Sequence, residues 1–186
     1  MSIYVALLRG INVGANKRIG MADLKRTFEN LGLTKVQTYI QSGNVLFVSE
    51  EKERPLLDLI QAAIQKDFGF SVDLVLRTGG ETKKLLEDCP FSREEAQAAE
   101  EALGSPVLHA ALLPEPPSQR DIEKLSACCA EGERFEIRGR DVYLLLPNGV
   151  HRSKLASQLQ KLDVPATARN MNTLDKLAEL AGVMKK

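Results

Sequence analysis

The order of apolar segments along the chain is strand-helix-strand-strand-helix-strand, and it occurs twice, over residues 3–76 and again over residues 107–168. Central strand segments are apolar on both faces, whereas helix segments place apolar residues three and four positions apart. This order is that of the ferredoxin-like sandwich, in which two helices cover one face of a four-stranded antiparallel sheet. The sequence therefore predicts an α+β protein with two ferredoxin-like βαββαβ modules in tandem, and it indicates an internal duplication.

The predicted modules leave room for extra helices. Module 1 covers residues 1–78, a helical connector covers residues 79–105, and module 2 covers residues 106–186. Module 2 ends in a C-terminal helix, for which Asn172 or Thr173 is the expected cap. The first and third strands of both modules are apolar at almost every position, so the second face of each sheet must be covered. The other module, the extra helices or a second chain could cover it, and both a monomer and a homodimer are compatible with this pattern.

Local signals place several turns and helix ends. Gly69 is expected to end the second helix, and the residues 41–44 have the composition of a hairpin loop. A second hairpin should turn at Gly139-Arg140. The spacing Ser118-x-x-Asp121 is that of a capping box at the start of the first helix of module 2.

Composition argues against several classes of protein. Cys89, Cys128 and Cys129 are odd in number and two are adjacent, so neither a disulfide framework nor a metal-binding spacing is present. We therefore expect a cytoplasmic protein without a metal or another cofactor. The apolar runs are too short to cross a bilayer, and no signal peptide precedes the strand that begins at Ile3.

The net charge of zero is unevenly distributed. Residues 1–48 carry six Lys and Arg against two Asp and Glu, and residues 137–186 carry nine against four. Residues 49–104 are acidic, with seven basic against thirteen acidic residues. A duplex-binding protein usually has a much stronger positive excess. The pattern favours two mildly basic surfaces with an acidic connector, and nucleic-acid binding is an alternative with weak support.

The expected strand order, 4-1-3-2, brings three loops of module 1 to one end of its sheet. They are the loop after strand 1, the hairpin loop and the turn before strand 4. Polar groups and glycines at this end could form a cradle for an anion beside a helix start. They could also merely shape tight loops, and no P-loop or G-x-G-x-x-G pattern is present. The polar residues gathered there are Arg9, Asn12, Asn16, Lys17, Arg18, Gln41, Ser42 and Asn44.

A second candidate region lies near the C-terminus, where Arg169 and Asn170 directly precede a predicted helix whose dipole favours an anion. The alternative is that Asn170 only holds the turn. His109 lies in an apolar strand and is interpreted as structural, whereas His151 lies in a polar loop without a neighbour suited to orient it. No Ser/His/Asp, Cys/His or paired-carboxylate pattern stands out, so no catalytic residue is assigned.

The segment from Ser42 to Val48 invites comparison with RNA-recognition motifs, which share this fold. Such motifs need a basic residue before the glycine and aromatic residues at alternate positions. Here Ser42 precedes the glycine, Asn44 follows it, and Phe47 has the wrong parity. The sequence therefore argues against RNA-recognition chemistry.

Four segments resemble the bacterial family known as domain of unknown function 1697: Tyr4–Gly14, Thr38–Val45, Arg152–Leu155 and Ala166–Asn170. The resemblance covers essentially the whole chain. It implies a cytoplasmic bacterial protein of two ferredoxin-like subdomains, with no assigned activity. Members often have glycine where this chain has Ala15 and tryptophan where it has Met171.

Three functional hypotheses follow from these observations. The first is binding of a small anionic ligand, such as a nucleotide, at the loop end of module 1, with ligand-binding candidates Arg9, Asn12, Lys17, Ser42, Asn44, Arg169 and Asn170. The second is association with nucleic acid through the two basic segments. The third is an enzyme whose polar residues converge only in the folded chain.

Overall fold

The computed structural model describes residues 1–185, which contain two four-stranded antiparallel sheets with helices between the strands. The chain divides into two compact units. Unit 1 comprises residues 1–84 with the C-terminal segment from Asp175, and unit 2 comprises residues 85–174. The predicted class, an α+β protein with two ferredoxin-like modules in tandem, is confirmed. Among the residues described, no helix has the length and apolarity needed to cross a membrane.

The elements follow the predicted order. The first repeat and the connector contain β1 (Ser2–Leu8), α1 (Met21–Asn30), β2 (Thr34–Tyr39), β3 (Asn44–Ser49), α2 (Glu53–Phe68), β4 (Leu74–Thr78), α3 (Gly79–Glu87) and α4 (Arg93–Leu103). The second repeat contains β5 (Leu108–Leu112), α5 (Gln119–Cys128), β6 (Arg134–Arg138), β7 (Asp141–Leu145), a 3₁₀ turn (Val150–Arg152), α6 (Lys154–Leu159), β8 (Thr167–Asn170) and α7 (Met171–Met184). The strand orders are β2-β3-β1-β4 and β6-β7-β5-β8.

Helix ends follow from local chemistry in most places. Gly69 ends α2 in the left-handed conformation, with φ +78°, and its N–H donates to the carbonyl of Gln65. Ser118 caps α5, because its hydroxyl accepts from the N–H of Asp121 at 3.1 Å. The expected capping box is only half formed. The buried Asp121 carboxylate accepts instead from the N–H of Asp163, at 3.2 Å.

Two expectations about the fourth strands and the last helix were wrong in detail. The expected cap of α7 was Asn172 or Thr173, but the helix begins at Met171, and Asn170 Oδ1 accepts from the N–H of Thr173 at 2.9 Å. In addition, β4 extends to Thr78 rather than ending at residue 76, the expected end of the first repeat, because its pairing with β1 continues to Tyr4 and Thr78.

The two repeats agree in their strand register. Val5 on β1 pairs with Arg77 on β4, and Ala110 on β5 pairs with Arg169 on β8. Both arginine side chains donate to the carbonyl oxygen of the residue before them, at 3.0 and 2.9 Å. Arg77 and Arg169 are therefore equivalent positions of the repeat, both in an outer strand next to the central one.

Each sheet is buried on both faces. One face of each sheet packs against helices of its own repeat, with Phe28 and Phe47 among the core of unit 1 and Leu125 and Leu144 in that of unit 2. The opposite faces are buried within the single chain as well, with exposures of at most 1% at Val5, Leu7, Leu46, Ala110 and Leu112. Burying these five side chains therefore does not require a second chain.

Candidate functional site

Three loops meet at one end of the sheet of unit 1, and backbone hydrogen bonds join them. The N–H of Leu8 donates to the carbonyl of Gly43 in the hairpin loop, at 2.8 Å. The N–H of Arg9 donates to the carbonyl of Asp73 in the loop before β4, also at 2.8 Å. The end of β1 is thereby tied to both neighbouring loops.

Asn12 organises the loop between β1 and α1. Its Nδ2 donates to the carbonyl oxygens of Ile19 and Gln41, at 2.9 and 2.8 Å, and its Oδ1 accepts from the N–H of Ile19 at 2.9 Å. Asn12 also has a left-handed backbone, with φ +55°, which asparagine tolerates better than most residues. These contacts support a loop-shaping role for Asn12.

Asn44 and Ser42 play a similar role in the hairpin. Asn44 is completely buried, and its Nδ2 donates to the carbonyl of Tyr39 at 2.9 Å and to Ser42 Oγ at 3.0 Å. A buried amide must have such partners, because an unsatisfied polar group inside a protein costs about 1–3 kcal/mol. The side chains of Ser42 and Asn44 therefore stabilise the loop and are poorly placed to be the main ligand contacts.

The cations at this end lie nearer the surface. Arg9 forms a long ion pair with Asp73, 3.9 Å between Nη1 and Oδ2, and Lys17 Nζ donates to the carbonyl of Ser71 at 3.0 Å. Arg18 is exposed, as are residues 13–17 before it. The loop end thus presents a positively charged, exposed segment on a framework held by its own hydrogen bonds.

Gly43 is required by the packing of this end. Its φ is +86°, and a Cβ placed there would stand 2.6 Å from Ile11 Cδ1 and 3.0 Å from Leu8 Cβ. Both the backbone conformation and the close approach exclude a side chain. The hairpin loop can therefore press against the β1–α1 loop only because residue 43 is glycine.

Arg169 and Asn170 lie in unit 2, whereas Arg9 and Asn44 lie in unit 1. Burial lowers the pKa of Arg169 to about 10, so its guanidinium still carries a charge at neutral pH. Asn170 caps α7. A single site that combines all four residues stays a prediction.

Unit 2 contains a cleft that the sequence reasoning did not predict, with a volume of about 380 Å³. It lies where β5 begins, beside the connection between β7 and α6 and the start of α7. The lining residues are Leu103, Ser105, Pro106, His109, Asn148, Gly149, Val150, His151, Arg152 and Asn170. A signal was available in the sequence, since residues 146–153 connect β7 to α6, whereas only residues 50–52 connect β3 to α2.

His109 is the buried polar group of this cleft. His109 is only 7% exposed. Burial lowers its pKa below the ordinary value, and a backbone hydrogen bond with Val107 and the negative charge of Glu100 oppose this shift. No described group meets its Nδ1 at hydrogen-bond distance and angle. His109 also lies directly opposite Asn170 on the neighbouring strand.

Other concave regions are less distinctive. A depression of about 370 Å³ between α1 and α2 is lined by Asp23, Arg26, Thr27, Asn30, Asp67 and Phe68. There the hydroxyl of Thr27 already donates to Asp67 Oδ2 at 2.7 Å, and charges of both signs are mixed. Within residues 1–185, no three His, Cys, Asp or Glu side chains are placed to hold a metal ion.

Comparisons with known proteins show the family and the fold. The family model described as "Protein of unknown function (DUF1697)" matches residues 1–143. The chain is similar to the solved structure of the conserved bacterial protein SP0830 from Streptococcus pneumoniae, with 23% identity and a TM-score of 0.75, over 97% of this chain and 98% of that one. No match was found among curated proteins. This chain belongs to the DUF1697 family of proteins of unknown function.

Proposed function

We propose that this protein binds a small anionic ligand, with nucleotides as the first class to test, at the loop end of unit 1. One observation carries the proposal. Hydrogen bonds from Leu8, Arg9, Asn12 and Lys17 tie the β1–α1 loop to the hairpin and to the loop before β4. A loop that is ordered in advance binds a ligand with a smaller entropic penalty than a loop that must be ordered on binding.

The residues divide into supports and contacts. Asn12, Ser42 and Asn44 support the loops through hydrogen bonds, as described above, whereas Arg9, Lys17 and Arg18 supply positive charge. Gly10 and Gly14 add a steric feature, because both have φ +66° and a Cβ at either would have no neighbouring atom within 4 Å. A ligand could approach the backbone closely at these glycines.

The start of α1 supports the same proposal in part, because the Asp23 carboxylate in its first turn opposes an anion there. Its N-cap residue is Gly20, which has no side chain to accept from the first N–H groups of the helix. The positive end of a helix attracts anions, since several of its N–H groups lack partners within the helix. A phosphate near this end would also be attracted by Lys17 and Arg18.

The test is a thermal-shift experiment with inorganic phosphate, adenosine monophosphate and adenosine triphosphate. The double variant Arg9→Ala/Lys17→Ala should keep a melting temperature close to that of the wild type, because the long ion pair of Arg9 and the exposed hydrogen bond from Lys17 to Ser71 each contribute only about 1 kcal/mol or less. It should lose the shift that the ligand causes.

The matched control is Lys25→Ala/Arg26→Ala, which removes two exposed charges of α1 that are also engaged in surface ion pairs. This control should keep the ligand-induced shift. The proposal is wrong if none of the three compounds raises the melting temperature of the wild type, or if the Arg9→Ala/Lys17→Ala variant retains the full shift.

A further inference from the structure

We propose that the cleft of unit 2 is a second binding site, which takes the oxyanion group, phosphate or carboxylate, of a small metabolite between His109 and Arg152. This site is distinct in sequence and in structural unit from the loop end of unit 1. Its volume of about 380 Å³ falls in the range of about 300–1,000 Å³ that is usual for small-molecule pockets.

The polar composition of the cleft fits an anion. Its lining contains one arginine, two histidines, two asparagines and a serine, and neither Asp nor Glu is among the residues that line it. The carboxylate that acts on His109 is Glu100, whose Oε1 already accepts from the N–H of Val107 at 3.1 Å. The lining would repel a cation through Arg152 and offers no carboxylate to bind it. An oxyanion, in contrast, would find several hydrogen-bond donors.

The buried nitrogen of His109 points independently to a ligand. Most buried polar side-chain atoms have a hydrogen-bond partner, and an exception calls for an explanation such as a bound molecule. Beyond the interaction of its ring with the backbone of Val107, His109 Nδ1 meets no partner at hydrogen-bond distance and angle among the described groups, although the residue is only 7% exposed and lines the cleft. Thr167 Oγ1 is also buried without a partner, but Thr167 does not line this cleft.

Asn170 and α7 complete the arrangement. Asn170 pairs directly with His109 across the strands, which places the two Cβ atoms about 4.5–5.5 Å apart on one face of the sheet. Its Oδ1 is used to cap α7, so Nδ2 is the group with which Asn170 could donate to a ligand. The helix that begins at the next residue is 14 residues long, and its positive end favours an anion nearby.

The chain contains only two histidines, His109 and His151, and both line the cleft. Their imidazole signals in ¹H–¹⁵N NMR spectra therefore report on this site without background from elsewhere, and a His151→Gln variant assigns them. We expect inorganic phosphate, glycerol 3-phosphate or acetate to shift both sets of signals in a saturable manner, and the strongest of the three probes identifies the preferred oxyanion.

Variants test the roles of the two key residues. Arg152→Ala should weaken the affinity for the strongest probe by about tenfold or more, since it removes a charge-assisted hydrogen bond. The control Arg120→Ala, which removes an exposed charge from α5 of the same unit, should leave the affinity unchanged. His109→Phe should abolish the shift of His151 while the protein remains folded.

Several results would overturn the proposal. It fails if none of the three probes perturbs either imidazole, or if Arg152→Ala binds the strongest probe as tightly as the wild type. It also fails if Arg9→Ala/Lys17→Ala, rather than Arg152→Ala, removes the histidine shifts, because the oxyanion would then bind in unit 1. Failure of the loop-end proposal has no such effect on the histidine signals, so the two proposals are separable.

Discussion

Tyr4 in unit 1 and His109 in unit 2 occupy equivalent positions of the repeat. Tyr4 pairs with Thr78 on β4 and His109 pairs with Asn170 on β8, and each partner caps the helix that follows its strand. The environment of the two side chains differs. The hydroxyl of Tyr4 donates to the carbonyl of Glu51 at 2.9 Å. Its ring also stacks with that of Phe47, 5.6 Å between centroids. His109 Nδ1, in contrast, has no described partner and lines a cleft.

The connection that follows the third strand accounts for the difference. Residues 50–52 cross directly from β3 to α2 and bring the carbonyl of Glu51 over the tyrosine. Residues 146–153 make a longer connection, which contributes the five residues Asn148 to Arg152 to the cleft. The comparison teaches that a longer loop in one copy of a repeat, together with a smaller side chain at the equivalent strand position, can leave a cleft where the other copy is packed.

The largest expected difference between the units is the loss of stability when a glycine of the hairpin is replaced. The carbonyls of Gly43 and Arg140 accept equivalent hydrogen bonds, from Leu8 and Leu113, but only Gly43 is pressed against Ile11. Gly43→Ala should destabilise the protein by about 3 kcal/mol, through a left-handed alanine and overpacking. Gly139→Ala should cost only about 1 kcal/mol, because its φ is also positive but no atom lies within 4 Å of a Cβ there. Urea denaturation measures both, and equal costs would show that the hairpins do not differ in packing.

Turns and helix ends are the features of the fold that the sequence predicts best. The turn at Gly139-Arg140, the helix end at Gly69 and the Ser118 cap depend on a few adjacent residues, so local chemistry decides them. The repeated order of strands and helices is equally visible, because each element has its own periodicity.

The roles of the candidate site residues in both units were harder to predict, because they depend on hydrogen-bond partners that are distant in the sequence. Asn12 and Asn44 were reasonable candidates as ligand contacts, yet their side chains bond to Gln41 and Tyr39 in neighbouring segments. His109 was interpreted as structural from its apolar strand, and the strand does bury it. The cleft beside it depends on the course of residues 146–153, which no local pattern specifies.

One replacement at the two equivalent positions should have opposite effects. Tyr4→Phe removes the hydrogen bond to Glu51 and should destabilise the protein by about 1 kcal/mol, whereas His109→Phe removes a buried unsatisfied nitrogen and should stabilise it by about 1 kcal/mol. The expected difference is therefore about 2 kcal/mol between the two variants. Urea denaturation at pH 8 without added anions measures it. If both variants lose stability equally, the environment of His109 is as well satisfied as that of Tyr4.

The buried side chains of His109 and Tyr4 should make the stability of the protein depend on pH at opposite ends of the scale. Burial lowers the pKa of His109 below the ordinary value of 6.5, so the unfolded chain binds a proton more readily and stability falls as the pH drops below about 6.5, by at most about 1.4 kcal/mol per pH unit. Burial raises the pKa of Tyr4 above 10, so the unfolded chain loses its proton first and stability falls as the pH rises above about 10. Tyr143, whose pKa is also raised, acts in the same direction.

Melting temperatures measured across the pH range separate these contributions. His109→Phe should flatten the decrease on the acidic side, where Glu100 and His151 are the other ionisable groups that act on the ring. Tyr4→Phe should reduce the decrease on the alkaline side and leave the part due to Tyr143. An acidic decrease that is unchanged in His109→Phe would contradict the assignment.

The smallest expected effect concerns the caps of the helices that follow the outer strands. Thr78 Oγ1 accepts from the N–H of Glu81 at 3.1 Å, and Asn170 Oδ1 accepts from that of Thr173 at 2.9 Å, so Thr78→Ala and Asn170→Ala should each cost about 1 kcal/mol or less. Similar losses in urea denaturation would show that the caps are equivalent. Only Asn170→Ala should also weaken oxyanion binding in the histidine NMR titration, because Asn170 lines the cleft beside His109. Equal binding by both variants would reduce Asn170 to a cap and leave the ligand to His109 and Arg152.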